Sequence, residues 1–292
     1  MSADATPLPV ALSRERHATR RWQPPADYRF ARQRPFVPIV LAESEVAATA
    51  LPVVFADIPG TPCPLPVALL RMQADDSPLV TPEGHWLAPY IPAILRVFPF
   101  TARTREQDAR MELLVDESSG LLSDDVDARR FFDPDGSPSA ALEAVVTFFK
   151  AYENSARATR AACLALDRTR DTNGQGLFRA LVHRGVHFDG LKVLDRAVFD
   201  GLDDDRLLAL RRAGALSLAI AHFVGCHQLD WLHRAEAAIG QSGHATSPTA
   251  IPDGPVAQAS TDVTDFMSAI AMAHDDDLAN RPEIGIDAPR KP

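Results

Sequence analysis

The order of two hydrophobic patterns along the chain most strongly constrains how it can fold. Between about residues 35 and 132, short apolar runs rich in β-branched and aromatic residues are separated by Pro, Gly and Asp, which is typical of strands. These runs are FVPIVLAES, LPVVFAD, PVALLRMQ and RMELLVD. Between about residues 137 and 240, apolar residues instead recur at helical spacing. The sequence therefore predicts an α+β fold, with an antiparallel-rich sheet from the N-terminal half packed with helices from the C-terminal half.

The second part contains two strong helix signals. In SPSAALEAVV, Ser137 is the expected N-cap and Pro138 the expected first helical residue. In DDDRLLALRRAGALSLAIAHF, aspartates precede the apolar residues and interact favourably with the positive end of a helix dipole. The Gly-punctuated segment 176–202 between these helices predicts a hairpin or a loop. The segment YIPAILRVFPF, residues 90–100, fits either a strand or a single helical turn.

Both ends differ in composition from the core, which we predict to span residues 33–240. Residues 1–32 contain six arginines and four prolines and predict a disordered basic arm that is solvated or contacts a protein partner. Residues 241–292 predict a flexible linker and an acidic tail, with a short amphipathic helix near 261–274. We keep two alternatives for these ends: docking of a protein partner, and docking onto a second protomer to form a homodimer. The acidic residues of the tail are Asp275, Asp276, Asp277, Glu283 and Asp287.

Charge and cysteine content restrict the partners and the compartment. The formal net charge of −9 argues against nucleic-acid binding, because neutralising phosphates needs an excess of Lys and Arg. The three cysteines, Cys63, Cys163 and Cys226, lie far apart, as expected for buried thiols in a reducing compartment. We find no signal-peptide pattern and no apolar run of the about 18 residues that a membrane span needs. The expected location is therefore the cytoplasm.

The segment AHFVGCHQLDWLHRAE, residues 221–236, concentrates side chains that can bind metals. At 3.6 residues per turn, one helix would align four of them in a stripe: His222, Cys226, Asp230 and His233. With His183 and His187 from HRGVH, the residues His222, Cys226 and Asp230 form a candidate zinc or iron site. The favoured alternative is a core helix in which His222 is a hydrogen-bonded buried histidine and Cys226 a small hydrophobe.

Polar and aromatic residues of the first part predict a ligand pocket instead. The segment LLVDESSGLL places two carboxylates, Asp116 and Glu117, at a strand end, which is a common position for ligand contacts. The segment EGHWLAPYIPAILRVFPF contributes Tyr90 and Arg96. We expect these four residues to bind a small molecule or a peptide, with the helix that carries His222 closing the pocket. The structural alternative is an ion pair between Arg96 and one of the two carboxylates, inside an ordinary core.

Sequence motifs for common cofactors are missing from the chain. No GxGxxG, GxxxxGK[ST], GxSxG, HExxH or CxxC sequence is present. We therefore expect no bound cofactor, and a binding or accessory protein rather than a self-sufficient enzyme. A metal-dependent oxygenase or hydrolase that uses His222 with Asp230, or with His183 and His187, is the enzymatic alternative.

An ordered set of segments over roughly residues 30–240 resembles the SapC family of bacterial proteins. These segments are FVPIVLAES, LPVVFA, YIPAILRVFPF, LLVDESSGLL, FFDPDGSPS and GALSLAIAHFVGCHQLDWL. The resemblance implies no established activity. Members of this family are often encoded near TonB-dependent receptors, halogenase-like proteins and cupin-like proteins. The resemblance therefore implies a role in nutrient uptake or in modifying a small molecule or peptide. Because the family is named after a gene linked to a paracrystalline surface array, a scaffold for surface-layer assembly is a further alternative. The chain lacks the spans of the peptide-transport permease that shares the name.

Overall fold

The computed structural model describes residues 9–105 and 110–242. Within them the strands are β1 (Val10–Ala11), β2 (Arg21–Trp22), β3 (Phe36–Pro38), β4 (Val53–Ala56), β5 (Leu65–Leu69), β6 (Phe100–Thr104), β7 (Met111–Val115), β8 (Leu122–Ser123), β9 (Arg129–Arg130), β10 (Phe178–His183) and β11 (Val186–Leu194). The helices are α1 (Arg14–His17), α2 (Leu41–Ala48), α3 (Ala93–Arg96), α4 (Ala140–Arg168), α5 (Arg196–Asp200), α6 (Asp204–Arg212), α7 (Ala215–Cys226) and α8 (Gln228–Ser242). Short 3-10 helices lie at Arg29–Ala31 and Glu117–Ser119.

A five-stranded antiparallel sheet with the strand order β10-β11-β4-β5-β3 forms the centre of the fold. Its strand β4 is buried along its whole length. Because strand side chains alternate between faces, Phe55 packs against α4, α6 and α7, whereas Val54 and Ala56 pack with Leu229 and Leu232 of α8. The sheet therefore has a helical layer on each face.

Two small antiparallel sheets, with the orders β1-β7-β6 and β8-β2-β9, form a second core with the first half of α4. Aromatic side chains fill this core, with Trp22 edge-on to Phe100 at 4.7 Å between ring centroids. Phe131 and Phe148 are also fully buried there. The described structure thus combines antiparallel sheets with helices, and the α+β prediction is confirmed.

The N-terminal residues 9–32 pack on the body of the protein, where the charge pattern predicts a disordered arm over 1–32. Strand β1 pairs with β7, and β2 lies between β8 and β9. His17 is 0% exposed and Trp22 only 4% exposed. The arginines that suggest a solvated arm are separated by these apolar and aromatic anchors, and burial of the anchors orders the segment.

Two local predictions differ from the structure. The run FVPIVLAES is a strand only over Phe36–Pro38, and helix α2 begins at Leu41. The N-cap of α4 is Ser139 rather than Ser137, because the Ser139 hydroxyl accepts the hydrogen bond from the Leu142 N–H at 3.2 Å. The aspartates do begin α6 as predicted, since the Asp203 side chain caps it. The segment 176–202 does contain a hairpin, formed by β10 and β11.

The acidic tail and the helix predicted near 261–274 lie outside the described residues. In the part of the chain that the structure does describe, no single helix combines the length and the apolar character needed to cross a membrane. One bent pair, Asp204–Arg212 with Ala215–Ile239 at 96°, satisfies both criteria together.

Helix α7 approaches β4 so closely that only glycine fits at one position. A Cβ on Gly225 would lie 2.7 Å from the Val53 nitrogen and 2.9 Å from the Val53 Cβ. We expect Gly225→Ala to lower the free energy of unfolding by about 1–3 kcal/mol through overpacking, despite the helix propensity of Ala, which is better by about 1 kcal/mol. Urea unfolding measures this change. Val224→Ala, at a 45% exposed position of the same helix, should have a much smaller effect, and equal losses in the two variants would contradict the packing argument.

Candidate functional site

His222 is a fully buried histidine that joins α7 to two strands. Its Nδ1 lies 2.8 Å from the Val53 carbonyl oxygen, which can only accept a hydrogen bond, so Nδ1 carries the proton. Its Nε2 accepts a hydrogen bond from the Leu194 N–H at 3.0 Å. Both ring nitrogens are therefore used by the backbone, and the ring is held as one neutral tautomer. Burial lowers the pKa of His222 to about 4.

Tyr90 and Arg96 do lie together, and the group that joins them to the core is Glu43. The guanidinium carbon of Arg96 lies 5.8 Å from the centroid of the Tyr90 ring. The Tyr90 hydroxyl donates a 2.6 Å hydrogen bond to the Glu43 carboxylate, which is 0% exposed. That carboxylate also accepts hydrogen bonds from the N–H groups of Ala93 at 2.9 Å and Val40 at 3.3 Å. Glu43 thereby links α2 to the N-terminus of α3.

Burial is the largest influence on the pKa values of Glu43 and Tyr90. It raises the pKa of Glu43, and the hydrogen bonds from Tyr90 and from the backbone of Ala93 and Val40, together with the charge of Arg96, lower that pKa only in part. Burial, reinforced by the nearby Glu43 carboxylate, raises the pKa of Tyr90 as well. The Tyr90 hydroxyl therefore stays protonated and is the donor of the hydrogen bond to Glu43. Glu43 is not among the predicted site residues, because the apolar run FVPIVLAES predicts a strand at its position. Its position three residues after Val40, which precedes α2, is the signal for a carboxylate that turns back to the helix start.

The pair Asp116 and Glu117 serves two local roles. Asp116 begins a 3-10 helix, since its carboxylate accepts hydrogen bonds from the Ser118 N–H at 2.9 Å and from the Ser118 hydroxyl at 2.6 Å. Glu117 accepts two hydrogen bonds from the Arg16 guanidinium, at 2.7 and 2.5 Å, and lies 3.2 Å from His17 Nε2. Arg16 lowers the pKa of Glu117. The hydrogen bonds of Tyr90, Glu117 and His222 thus lead to three different parts of the fold, and they do not support one shared pocket.

The predicted metal ligands divide in the same way. Cys226 Sγ lies 3.5 Å from His222 Nε2, and burial raises the pKa of the Cys226 thiol to about 12. Asp230 instead accepts a 2.9 Å hydrogen bond from Arg184 and lies 3.4 Å from His183 Nε2. Across residues 9–105 and 110–242, no group of three or more His, Cys, Asp or Glu side chains is placed to hold a metal ion.

His187, the remaining residue of that set, lines a groove of about 530 Å³ on the α8 side of the five-stranded sheet. The apolar surface of the groove comes from β3, β4, β5 and β11: Phe36, Ala56, Leu69, Phe188 and Leu191. One wall is the hairpin segment 186–190, and the other is the segment 71–73 that follows β5. The Glu236 carboxylate of α8 accepts hydrogen bonds from the N–H groups of Met72 and Gln73 and so fixes the second wall.

The tip of the β10–β11 hairpin extends beyond the residues that pair with β4 and lines the groove. Strand β11 pairs with β4 through Leu191 and Lys192. Just before that pairing, Gly190 has a φ of +73°, and the register between β10 and β11 shifts between Ala180 and Leu181. A glycine with positive φ and a bulge both bend a strand. Gly190 still accepts a 2.8 Å hydrogen bond from the Asp57 N–H, and the residues before it, 186–189, form the wall of the groove.

His222 makes a testable contribution to acid sensitivity. Its folded pKa of about 4 lies below the ordinary value of 6.5, so the unfolded chain binds a proton that the native state rejects. This contribution to stability is complete above pH 6.5 and is lost as the pH falls towards 4. The expected loss is on the order of 3 kcal/mol. Urea unfolding of the wild-type protein and of His222→Gln over this range measures it.

We expect His222→Gln to be less stable at neutral pH, because one amide cannot reproduce both backbone hydrogen bonds. Its free energy of unfolding should nevertheless depend less steeply on pH than that of the wild type. His227→Gln is the matched control, since His227 is exposed and should leave the pH dependence unchanged. Parallel curves for the wild type and His222→Gln would contradict the assignment.

Two tyrosines near Arg96 allow a matched test of the Glu43 group. Tyr90→Phe removes the 2.6 Å hydrogen bond to the buried carboxylate, and we expect a loss of about 1–3 kcal/mol in unfolding free energy. This bond also lowers the pKa of Glu43, so its removal raises that pKa further, and the loss in unfolding free energy should be larger at high pH than at low pH.

Tyr28 supplies the control for this measurement. It is also buried, but its hydroxyl has no hydrogen-bond partner among the described residues. Tyr28→Phe should therefore be close to neutral at both pH values. A pH-independent loss in Tyr90→Phe would show that Glu43 does not depend on Tyr90.

Of three comparisons with known proteins, one identifies a family. A search of curated proteins and a search of solved structures gave no match. A scan against protein families matched the family described as SapC over residues 12–232. The match begins inside the N-terminal segment that packs on the body and ends in α8, so it includes the two cores and the groove. The chain belongs to the SapC family.

Proposed function

We propose that this chain is a binding or accessory protein that holds a small molecule or a short peptide segment in the groove over the five-stranded sheet. The observation that carries the proposal is the accessible apolar surface of that groove. Phe36, Phe188 and Leu191 line it and are only partly buried. A concave apolar surface of about 530 Å³ with a few polar groups at its margin has the size and character of a ligand site.

The margin of the groove indicates an amphipathic ligand. On one side the Arg71 guanidinium donates hydrogen bonds to the Gln33 carbonyl at 3.1 Å and to the Ala74 carbonyl at 2.7 Å, which fixes its position. On the hairpin side, His187 and Asp189 are exposed. A ligand with an apolar body and polar ends would place its body against Phe36 and Phe188 and its ends against these polar groups.

This proposal keeps the binding role that the sequence suggested and moves its site. The pocket expected around Arg96, Asp116, Glu117 and His222 is replaced by a surface that uses none of them. A role in nutrient uptake or in the modification of a small molecule or peptide, in the cytoplasm, is the biological setting that we propose for it. The free thiols Cys63 and Cys163 are buried, which suits a reducing compartment.

Binding of 1-anilinonaphthalene-8-sulfonate, an amphipathic aromatic anion, tests the groove in the full chain. We expect saturable fluorescence enhancement in the wild type. Phe188→Ala and Phe36→Ala should each weaken binding by about tenfold, since a lost aromatic contact is worth about 1 kcal/mol or more. Circular dichroism and thermal unfolding of each variant establish that it folds.

The matched controls lie on a different exposed apolar surface, on α7. Ile220 is 52% exposed and Val224 45% exposed, and both line a separate cavity of about 240 Å³. Ile220→Ala and Val224→Ala should leave dye binding unchanged if the groove is the site. Loss of binding in these variants, with retention in Phe36→Ala and Phe188→Ala, would refute the proposal.

A further inference from the structure

A second cleft, of about 340 Å³, lies where the N-terminal segment meets β9 and the turn that precedes α4. It shares no lining residue with the groove. Four of its lining residues are arginines, Arg14, Arg20, Arg21 and Arg130, and one is an aspartate, Asp133. A chain with a formal net charge of −9 thus carries a local concentration of guanidinium groups.

The strand register places two of these arginines directly opposite each other. Arg21 of β2 pairs with Arg130 of β9 in the antiparallel ladder, so their side chains leave the same face of the small sheet. Like charges at directly opposite positions are unfavourable in the empty protein. The Arg21 guanidinium is held by the carbonyls of Val126 at 3.0 Å and Ala128 at 3.1 Å. Arg130 is exposed and makes no ion pair within 4.0 Å in the described residues.

The third arginine is positioned by a glycine. Gly136 has a φ of +87° at the end of the Asp133–Gly136 turn, whose Gly136 N–H donates to the Asp133 carbonyl at 2.8 Å. A Cβ at Gly136 would overlap the Arg14 guanidinium, which therefore lies directly on this backbone. Arg14 makes no ion pair within 4.0 Å among the residues that the structure describes. Its guanidinium therefore lies against the Gly136 backbone at the cleft.

The acidic groups nearby neutralise the charge of the cleft only in part. Asp124, outside the lining, pairs with Arg20 at 3.4 Å. Asp135 turns to the Ser137 hydroxyl and N–H, at 2.7 and 2.8 Å, although the charge of Arg14 also lowers its pKa. Asp133 is the one carboxylate among the lining residues, compared with four arginines. The lining itself is therefore strongly cationic.

We propose that this cleft binds a small molecule that carries two or more adjacent phosphate groups. Guanidinium groups donate paired hydrogen bonds that match phosphate oxygens, and several of them around one cleft suit a multiply charged ligand. The bound anion would also offset the repulsion between Arg21 and Arg130. The small volume of the cleft, about 340 Å³, and the net negative charge of the chain favour a small ligand over the extended backbone of a nucleic acid.

Isothermal titration of the full-length protein with pyrophosphate tests the site. We expect one-site binding at low salt that weakens as salt is added. Arg130→Gln and Arg14→Gln should each weaken binding by at least about tenfold, the effect of losing one charge-assisted hydrogen bond. Inorganic phosphate should bind more weakly than pyrophosphate, because it can reach fewer of the four arginines.

The neighbouring Arg129 gives a control of equal charge on the same strand. Its guanidinium lies over the Trp22 ring at 5.2 Å and does not line the cleft. Arg129→Gln should keep nearly wild-type affinity for pyrophosphate. Absence of binding, equal weakening in Arg129→Gln and Arg130→Gln, or tighter binding of a short DNA duplex than of pyrophosphate would each overturn the proposal.

Discussion

Strand β4 is buried on both faces of the five-stranded sheet, and this burial determines how the helices pack. Its four residues, Val53–Ala56, are all buried, so the chain must supply a helical layer on each side of the sheet. It does so with consecutive helices, α7 packing with Phe55 on one face and α8 with Val54 and Ala56 on the other. His222 satisfies backbone groups of β4 and β11 where α7 meets the sheet. An unpaired peptide group at that depth would cost stability.

The same constraint explains why a groove remains. Helix α8 covers the part of the sheet that packs with Leu229 and Leu232. Further along the helix, the Glu236 side chain binds the segment after β5. The hairpin tip lines the opposite side of the groove, and Phe36, Phe188 and Leu191 stay partly exposed between these two elements. The groove is thus a consequence of how two neighbouring elements end, and no single sequence motif encodes it.

The fold class could be predicted from the sequence because it depends on local hydrophobic patterns, and the patterns of β4, β5, β7 and α4 are strong. Helix α2 was missed because it follows β3 within the continuous apolar run FVPIVL, in which periodicity does not separate the two states. The burial of His222 could be foreseen from its apolar helix. The partners of Glu117 could not, because the ion pair with Arg16 joins residues 101 positions apart.

The arginines of the N-terminal segment show most clearly what composition leaves undetermined. Their spacing suggests a solvated arm, but burial of Trp22 fixes β2, and the register of β2 then brings Arg21 against Arg130. The like charges of Arg21 and Arg130 oppose folding of the empty protein, and so does the partly exposed apolar surface of the groove. In proteins whose local features otherwise agree with the fold, such unfavourable arrangements concentrate at functional sites. The groove is apolar and the arginine-lined cleft is cationic, so the two surfaces require chemically different ligands. Binding at one of them does not imply binding at the other.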